Sequence, residues 1–204
     1  MATTTTKRLP AHERRIQILK SAIHVFAEHT YHGATTKKIA EEAGVTEALI
    51  YRYFGSKRLL FTEAIDVTSA RIVRGLQRVI SAHPSDPEVG LRACLAYYIH
   101  LLESSTDSAK MLFLVLAELD HQDVRDAFLP HQDEVLRTLS DTIQSWQEQN
   151  LLSHDFHTQS AAWLAFGSYI ILALVKHSHG TIKLDVDQAM GLVSPYIKKS
   201  PDRS

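Results

Sequence analysis

The stretch that most constrains this chain is residues 35–57, TTKKIAEEAGVTEALIYRYFGSK. Two threonines at its start are suited to cap a helix, and Gly44 stands where that helix must end and the chain must turn. Thr46 is suited to cap a second helix, which Gly55 ends. Two short helices around a tight glycine turn are typical of the helix-turn-helix, which lays its second helix in the DNA major groove. A purely structural helical hairpin is the alternative.

The rest of the chain also predicts helices. Apolar residues recur at spacings of three and four, and no strand-length alternation interrupts them. We therefore predict an all-α fold of about nine helices, with three forming an N-terminal helix-turn-helix domain and the others a C-terminal helical domain. Pro130 is expected to kink or split a long helix over 122–149, and Pro195 to bend the last one. The core of the N-terminal domain is expected to contain Ile16, Phe26, Ile39, Val45, Ile50 and Phe54.

The charges divide the chain into two unlike parts. Residues 1–60 carry ten Lys and Arg against five Asp and Glu, whereas residues 61–204 carry twelve against eighteen. A basic head on an acidic body suits a protein that holds a polyanion with one end.

Composition favours a soluble cytoplasmic protein. The single cysteine, Cys94, excludes an internal disulfide, and the N-terminus lacks the apolar core of a secretion signal. The longest apolar run, residues 161–175, is interrupted by Gly167 and Ser168 and is expected to be too short to span a bilayer. We expect no membrane partner.

The sequence contains few features of an enzyme or of a metal site. The sequence has no nucleophile elbow, phosphate loop, HExxH or paired-cysteine motif, and Cys94 has no evident base nearby. The histidine pairs His154/His157 and His177/His179 lack a thiolate or a clear third ligand, so solvated loop histidines are the better interpretation. We expect neither an enzyme nor a cofactor.

Residues 14–64 resemble the DNA-binding domain of the TetR family of bacterial transcriptional regulators. The most specific matches are the segments FAE at 26–28, IA at 39–40, AGV at 43–45, YRYF at 51–54 and KRLL at 57–60. Two positions depart from the family pattern. Thr30 stands where glycine usually ends the first helix, so that helix is expected to end differently, at Gly33. Leu49 stands where a small or hydroxyl residue is usual, which replaces a phosphate contact by packing or by a thymine-methyl contact.

The resemblance implies the residues that contact DNA. Those expected to hold phosphates are Thr36, Lys37, Tyr51, Tyr53 and Lys57. Those expected in or beside the major groove are Thr46, Glu47, Ala48 and Arg52, with Arg52 suited to guanine and Glu47 to the cytosine amino group. In the alternative, the two tyrosines only pack, and Glu47 only stabilises the first turn of its helix.

The resemblance also implies the domain plan. Residues 1–11 are expected to form a flexible arm, either disordered or bringing Lys7 and Arg8 to DNA; residues 12–56 the helix-turn-helix domain; and residues 57–204 an effector-binding and dimerisation domain. The expected effector pocket draws on Tyr98, Met111, Phe113, Phe128, Trp146, Trp163 and Phe166, for which ordinary core packing is the alternative.

The helix expected over residues 157–177 is apolar on nearly every side, so it must be covered on both sides. A second copy of the chain is the expected cover, and a central helix buried within one monomer is the alternative. The expected dimer contacts are Ala161, Ala165, Ser168, Leu172, Met190 and Val193.

Together these features predict a homodimeric, ligand-responsive transcriptional regulator. Its partners would be a double-stranded DNA operator, a second copy of itself and a small-molecule effector. We expect a repressor released from a pseudo-palindromic operator by the effector. The alternative is an activator, or a regulator gated by a protein partner without a small-molecule effector.

Overall fold

The computed structural model describes residues 10–104 and 106–198, and only the backbone of Thr106 and Ser108. Residues 1–9, most of the expected arm, lie outside the described residues. Within the described ranges the regular elements are helices, which confirms the all-α prediction. They are α1 (Ala11–Gly33), α2 (Thr36–Ala43), α3 (Glu47–Phe54), α4 (Lys57–Ser81), α5 (Pro87–Ser104), α6 (Thr106–Ala117), α7 (Gln122–Glu148), α8 (Thr158–His179), α9 (Val186–Gly191) and a 3-10 helix, Ser194–Tyr196.

The chain divides into two compact units, Met1–Ile65 and Asp66–Ser204. The boundary falls inside α4 because the first turns of this helix bury Leu60, Phe61 and Ala64. Phe61 packs edge-on against Phe26, with 4.9 Å between the ring centroids. We call the two units the head and the body.

The head core is close to the one expected. Phe26, Ile39 and Ile50 are fully buried, and Phe54 is 5% exposed. Val45 is half-buried. The expectation for Ile16 was wrong: its side chain is 40% exposed, and Ile18 and Leu19 fill the core from α1 instead.

The first helix is broken at Thr30. This residue has φ 61° and ψ 171°, and the helical turn resumes after it and runs to Gly33. The amide of Ala34 donates to the Thr30 carbonyl at 3.1 Å. A β-branched residue at positive φ is an outlier, so α1 is kinked at a residue poorly suited to that conformation.

The body is built around α8, which packs against α5, α6 and α7. Trp146, Met111 and Leu102 are among its most buried side chains. Helix α7 is continuous from Gln122 to Glu148, with Pro130 exposed inside it, so the proline does not split this helix.

The apolar run at 161–175 belongs to a longer helix, α8, so the expectation that it is too short to span a bilayer was wrong. It is 22 residues long, and its most apolar 18-residue window has a mean hydropathy of 1.5, which suffices for a bilayer span by length and composition alone. Only 28% of that window is buried in the structure. A core helix of a soluble protein meets the same two criteria, so this finding is weak evidence for a membrane span.

The end of the described chain is fastened to the α7–α8 loop. Leu152 and Ile197 form an isolated antiparallel bridge. The Lys198 amide donates to Leu151 at 2.9 Å, and the Ser153 amide to Tyr196 at 2.8 Å. Pro195 therefore does not bend the last helix as expected: it lies in the 3-10 helix, after α9 has ended at Gly191.

Candidate nucleic-acid interface

The turn between α2 and α3 is closed by backbone hydrogen bonds around Gly44. This glycine is left-handed, with φ 62° and ψ 37°. Its amide donates to Glu41 at 3.1 Å, and the Val45 amide donates to Ala40 at 2.9 Å. Residues with a side chain rarely adopt this backbone conformation. Glycine at position 44 therefore allows the tight turn between the two helices.

Helix α3 has one inward and one outward face. Ile50 and Phe54 are buried in the head, whereas the side chains that the sequence predicts in the major groove, Thr46, Glu47, Ala48 and Arg52, are all exposed. Tyr51 is 48% exposed, and Tyr53 and Leu49 are half-buried. Thr46 precedes the helix but makes no side-chain cap bond.

Arg15 fixes the end of α3, a role that the sequence does not indicate. Its guanidinium donates to the Tyr53 carbonyl at 2.6 Å and to the carboxylate of Glu63. It also lies 4.4 Å from the centroid of the Phe54 ring. These partners are far away in sequence, so no local pattern reveals the role.

Thr36 contacts two other residues that are predicted to contact DNA. Thr36, at the start of α2, is 7% exposed, and its hydroxyl donates to the carboxylate of Glu47 at the start of α3. The hydroxyls of Thr36 and Tyr51 are 3.2 Å apart. We call Thr36, Glu47 and Tyr51 the hydroxyl–carboxylate chain.

The two predicted lysines differ in placement. Lys37 is exposed. The Lys57 ammonium instead donates to the carbonyls of Tyr31 at 2.9 Å and Ala34 at 3.1 Å, and lies 4.3 Å from the centroid of the Tyr31 ring. Lys57 thus ties the start of α4 to the chain around the Thr30 break.

The predicted pocket residues differ in their burial. Tyr98, Met111, Phe128 and Trp146 are buried, Phe113 and Phe166 are half-buried, and Trp163 is 49% exposed. The Trp146 indole donates to Pro84 at 3.0 Å and its side chain packs with Ile143 and Leu152, which indicates a structural role.

A buried tyrosine cluster lies between α5 and α8. The rings of Tyr98 and Tyr169 are 5.2 Å apart, and burial raises the pKa of both phenols. The Tyr169 hydroxyl is buried and has no hydrogen-bond partner among the described residues. Sequence reasoning missed Tyr169, although it is a polar aromatic residue inside an apolar run. Burial likewise raises the pKa of the nearby Cys94 thiol to about 12.

The predicted dimer contacts are buried or half-buried in the single chain. Leu172 is 6% and Met190 5% exposed, and Ala161, Ala165, Ser168 and Val193 are half-buried. The exposed apolar residues of α8 lie on another side: Leu164 is 75%, Ile171 63% and Leu174 54% exposed. We call these three residues the open face of α8.

No group of three or more His, Cys, Asp or Glu suited to hold a metal ion occurs in the part of the chain that the structure describes.

The head matches a known family of proteins. Residues 18–64 match the family model of the "Bacterial regulatory proteins, tetR family". The transcriptional activator FasR of Mycolicibacterium smegmatis is 30% identical over 52% of this chain and 48% of its own length. The transcriptional repressor AcnR of Corynebacterium efficiens is 35% identical over 36% of this chain and 42% of its own. The match thus spans about half or less of these two relatives.

The likeness in fold extends further than the likeness in sequence. The crystal structure of the transcriptional regulator FadR from Bacillus subtilis in complex with stearoyl-CoA superposes with a TM-score of 0.70, covering 87% of this chain and 94% of FadR at 19% identity. FasR, AcnR and FadR are transcriptional regulators, the class of protein that the sequence predicts for this chain.

Proposed function

This chain belongs, through its head, to the TetR family of bacterial regulatory proteins, and on that premise we propose that it is a homodimeric, ligand-responsive transcriptional regulator. In this proposal two heads bind a pseudo-palindromic DNA site in the cytoplasm. A small molecule bound in the body releases them, so the protein acts as a repressor. The observation that carries the proposal is the outward face of α3 with Arg52 exposed on it.

The face of α3 suits a major groove. An exposed guanidinium can pair with O6 and N7 of guanine, and the exposed Lys37 adds a phosphate contact. The start of α3 has no side-chain cap bond, so its first amide groups can donate to phosphate oxygens. Tyr53 is half-buried and Lys57 is engaged with carbonyl oxygens, so we assign these two residues to positioning rather than to direct contact.

The open face of α8 supports dimerisation. With Gly167, its residues follow spacings of three and four along the helix (164, 167, 171 and 174), the pattern by which two helices pack against each other. A Cβ placed on Gly167 would have no neighbour within 4 Å, so this face is open to close approach. Two copies joined here would present two heads to half-sites about 34 Å apart or a multiple of that spacing.

The tyrosine cluster supports an effector. A buried hydroxyl without a partner is destabilising, so a ligand that bonds the Tyr169 hydroxyl would be favoured there. FadR of Bacillus subtilis holds stearoyl-CoA, which makes a long-chain acyl-CoA the first effector to test.

A second candidate function is transcriptional activation. FasR, at 30% identity, is named an activator, whereas AcnR is named a repressor. The same DNA and effector binding serves both functions.

Selection from a randomised duplex pool tests the proposal. We expect the wild-type protein to enrich an inverted repeat, and its affinity for that repeat to fall steeply with salt as bound counterions are released. Arg52→Ala should lose enrichment at one position in each half-site. Arg74→Ala removes the same charge from the exposed side of α4 in the body, and we expect it to behave as wild type.

The proposal fails if the pool shows no enrichment at any salt concentration while the protein is folded and dimeric. It is also wrong if Arg74→Ala lowers affinity as much as Arg52→Ala does, because the head would then have no special place in binding.

A further inference from the structure

The hydroxyl–carboxylate chain bears on how the head selects its DNA. From its geometry we propose that Glu47 is a specificity-determining residue that competes with DNA phosphates for the hydroxyls of Thr36 and Tyr51. This inference rests on the proposed function, since it needs the face of α3 to meet DNA.

The Thr36 and Tyr51 hydroxyls each have one proton to donate. An ionised carboxylate only accepts hydrogen bonds, so the single Thr36 proton points to Glu47. The Tyr51 hydroxyl, 3.2 Å from the Thr36 oxygen, must then donate to it. Both hydroxyls thus direct their protons into the chain that ends at Glu47, and neither has a proton left for a phosphate.

Competition follows from the shared donors. A phosphate oxygen that takes the Thr36 proton deprives Glu47 of its partner and repels it, because both groups are anions. Glu47 already occupies the start of α3, where the helix favours a negative charge. Because Glu47 is exposed, its side chain is free to rotate away when a phosphate arrives.

The displaced carboxylate makes this competition dependent on sequence. It lies at the start of the helix that meets the base edges, where the amino groups of cytosine and adenine are its only partners. On a site with such a group it regains a hydrogen bond, and on other sites it does not. Glu47 therefore weakens binding to all DNA but weakens binding to the wrong sequence most.

Glu47→Gln separates this role from a general charge effect. Glutamine keeps an oxygen that accepts from Thr36 but lacks the charge that competes with phosphate. Glu42→Gln is a matched control, since it removes the same charge from an exposed position on α2. Both variants are measured on a random-sequence duplex and on the operator that the wild-type protein selects.

We expect Glu47→Gln to bind the random duplex about tenfold more tightly than Glu42→Gln, the size of one hydrogen bond to a charged group. Its affinity for the selected operator should rise less, so the ratio of operator to random affinity falls. In a Thr36→Val background, which removes the shared donor, the gain from Glu47→Gln on random DNA should shrink.

Other outcomes overturn the inference. If Glu47→Gln and Glu42→Gln match on both duplexes, Glu47 contributes only net charge or stabilises its own helix turn. An undiminished gain in the Thr36→Val background would show that Glu47 does not act through Thr36. If no protein, wild type included, binds either duplex, the proposed function itself has failed and this inference falls with it.

Discussion

At the scale of single residues, Thr30 is the non-glycine residue with positive φ in the described part of the head. Its φ of 61° is one that threonine rarely adopts, at a cost of about 1–3 kcal/mol. We expect Thr30→Gly to raise the free energy of unfolding of the head by about 1 kcal/mol, after the greater freedom of glycine in the unfolded chain is allowed for. Urea unfolding followed by circular dichroism measures it.

Thr30→Ala is the matched control for this prediction. Alanine keeps the Cβ that makes positive φ unfavourable, so it should gain little. Equal unfolding midpoints for the glycine and alanine variants would contradict the account.

Residue roles were predicted only where they depend on neighbours in the chain. Gly44 was assigned correctly because the need for a left-handed residue between two short helices is visible locally. The contacts of Lys57 and Arg15 within the head were not predicted. The carbonyl oxygens that accept from Lys57 lie 23 and 26 residues away, and Arg15 donates to the Tyr53 carbonyl and the Glu63 carboxylate, which are also distant in sequence. For the same reason the sequence contains Thr36, Glu47 and Tyr51 but gives no sign that they touch.

At the scale of helices, the residues where a helix begins and ends were easier to predict than the side of the helix that is buried. Helix α2 ends directly before Gly44, and α3 begins directly after Thr46 and ends before Gly55, because caps and glycines mark these ends. In α8 nearly every side is apolar, so periodicity did not indicate which side α5, α6 and α7 cover. The sequence predicts dimer contacts on the side of α8 that carries Leu172, which is 6% exposed, whereas Leu164 on another side is 75% exposed.

The open face of α8 gives a prediction at this scale. We expect Leu164→Glu or Ile171→Glu to weaken self-association at least about 100-fold, because a charge would be buried against a copy of itself without a partner. Sedimentation equilibrium measures the dissociation constant. Both side chains are largely exposed in the single chain, so circular dichroism should be unchanged.

Leu129→Glu, on an exposed position of α7, is the control and should associate as the wild-type chain does. If Leu164→Glu and Ile171→Glu associate as tightly as this control, the open face of α8 is not the dimer contact.

At the scale of the whole molecule, effector and DNA binding are expected to be coupled. If stearoyl-CoA lowers affinity for the selected operator by some factor, DNA must lower affinity for stearoyl-CoA by the same factor. We expect Tyr169→Phe to reduce this factor, because it removes the unpartnered hydroxyl. Titrating the acyl-CoA against the operator complex, and the operator against the acyl-CoA complex, measures both sides.

Tyr97→Phe provides the comparison for stability. The Tyr97 hydroxyl donates to the Ile72 carbonyl at 3.2 Å, so its loss should lower the free energy of unfolding by about 1 kcal/mol. Tyr169→Phe loses no such bond and should not lower it. A loss of stability in Tyr169→Phe equal to that in Tyr97→Phe would mean that the Tyr169 hydroxyl is bonded in the free protein and is not waiting for an effector.

The placement of the two tryptophans gives the molecule its own optical reporters. Trp146 is 2% exposed, and Trp163 on α8 is 49% exposed. In the monomer, the fluorescence of Trp146 comes from an apolar environment and that of Trp163 from a solvent-exposed one. Association through α8 would exclude water from around Trp163 and move its emission to shorter wavelength. The emission of Trp146 would stay constant until the body unfolds. Fluorescence thus distinguishes separation of two chains from loss of the fold without any added label.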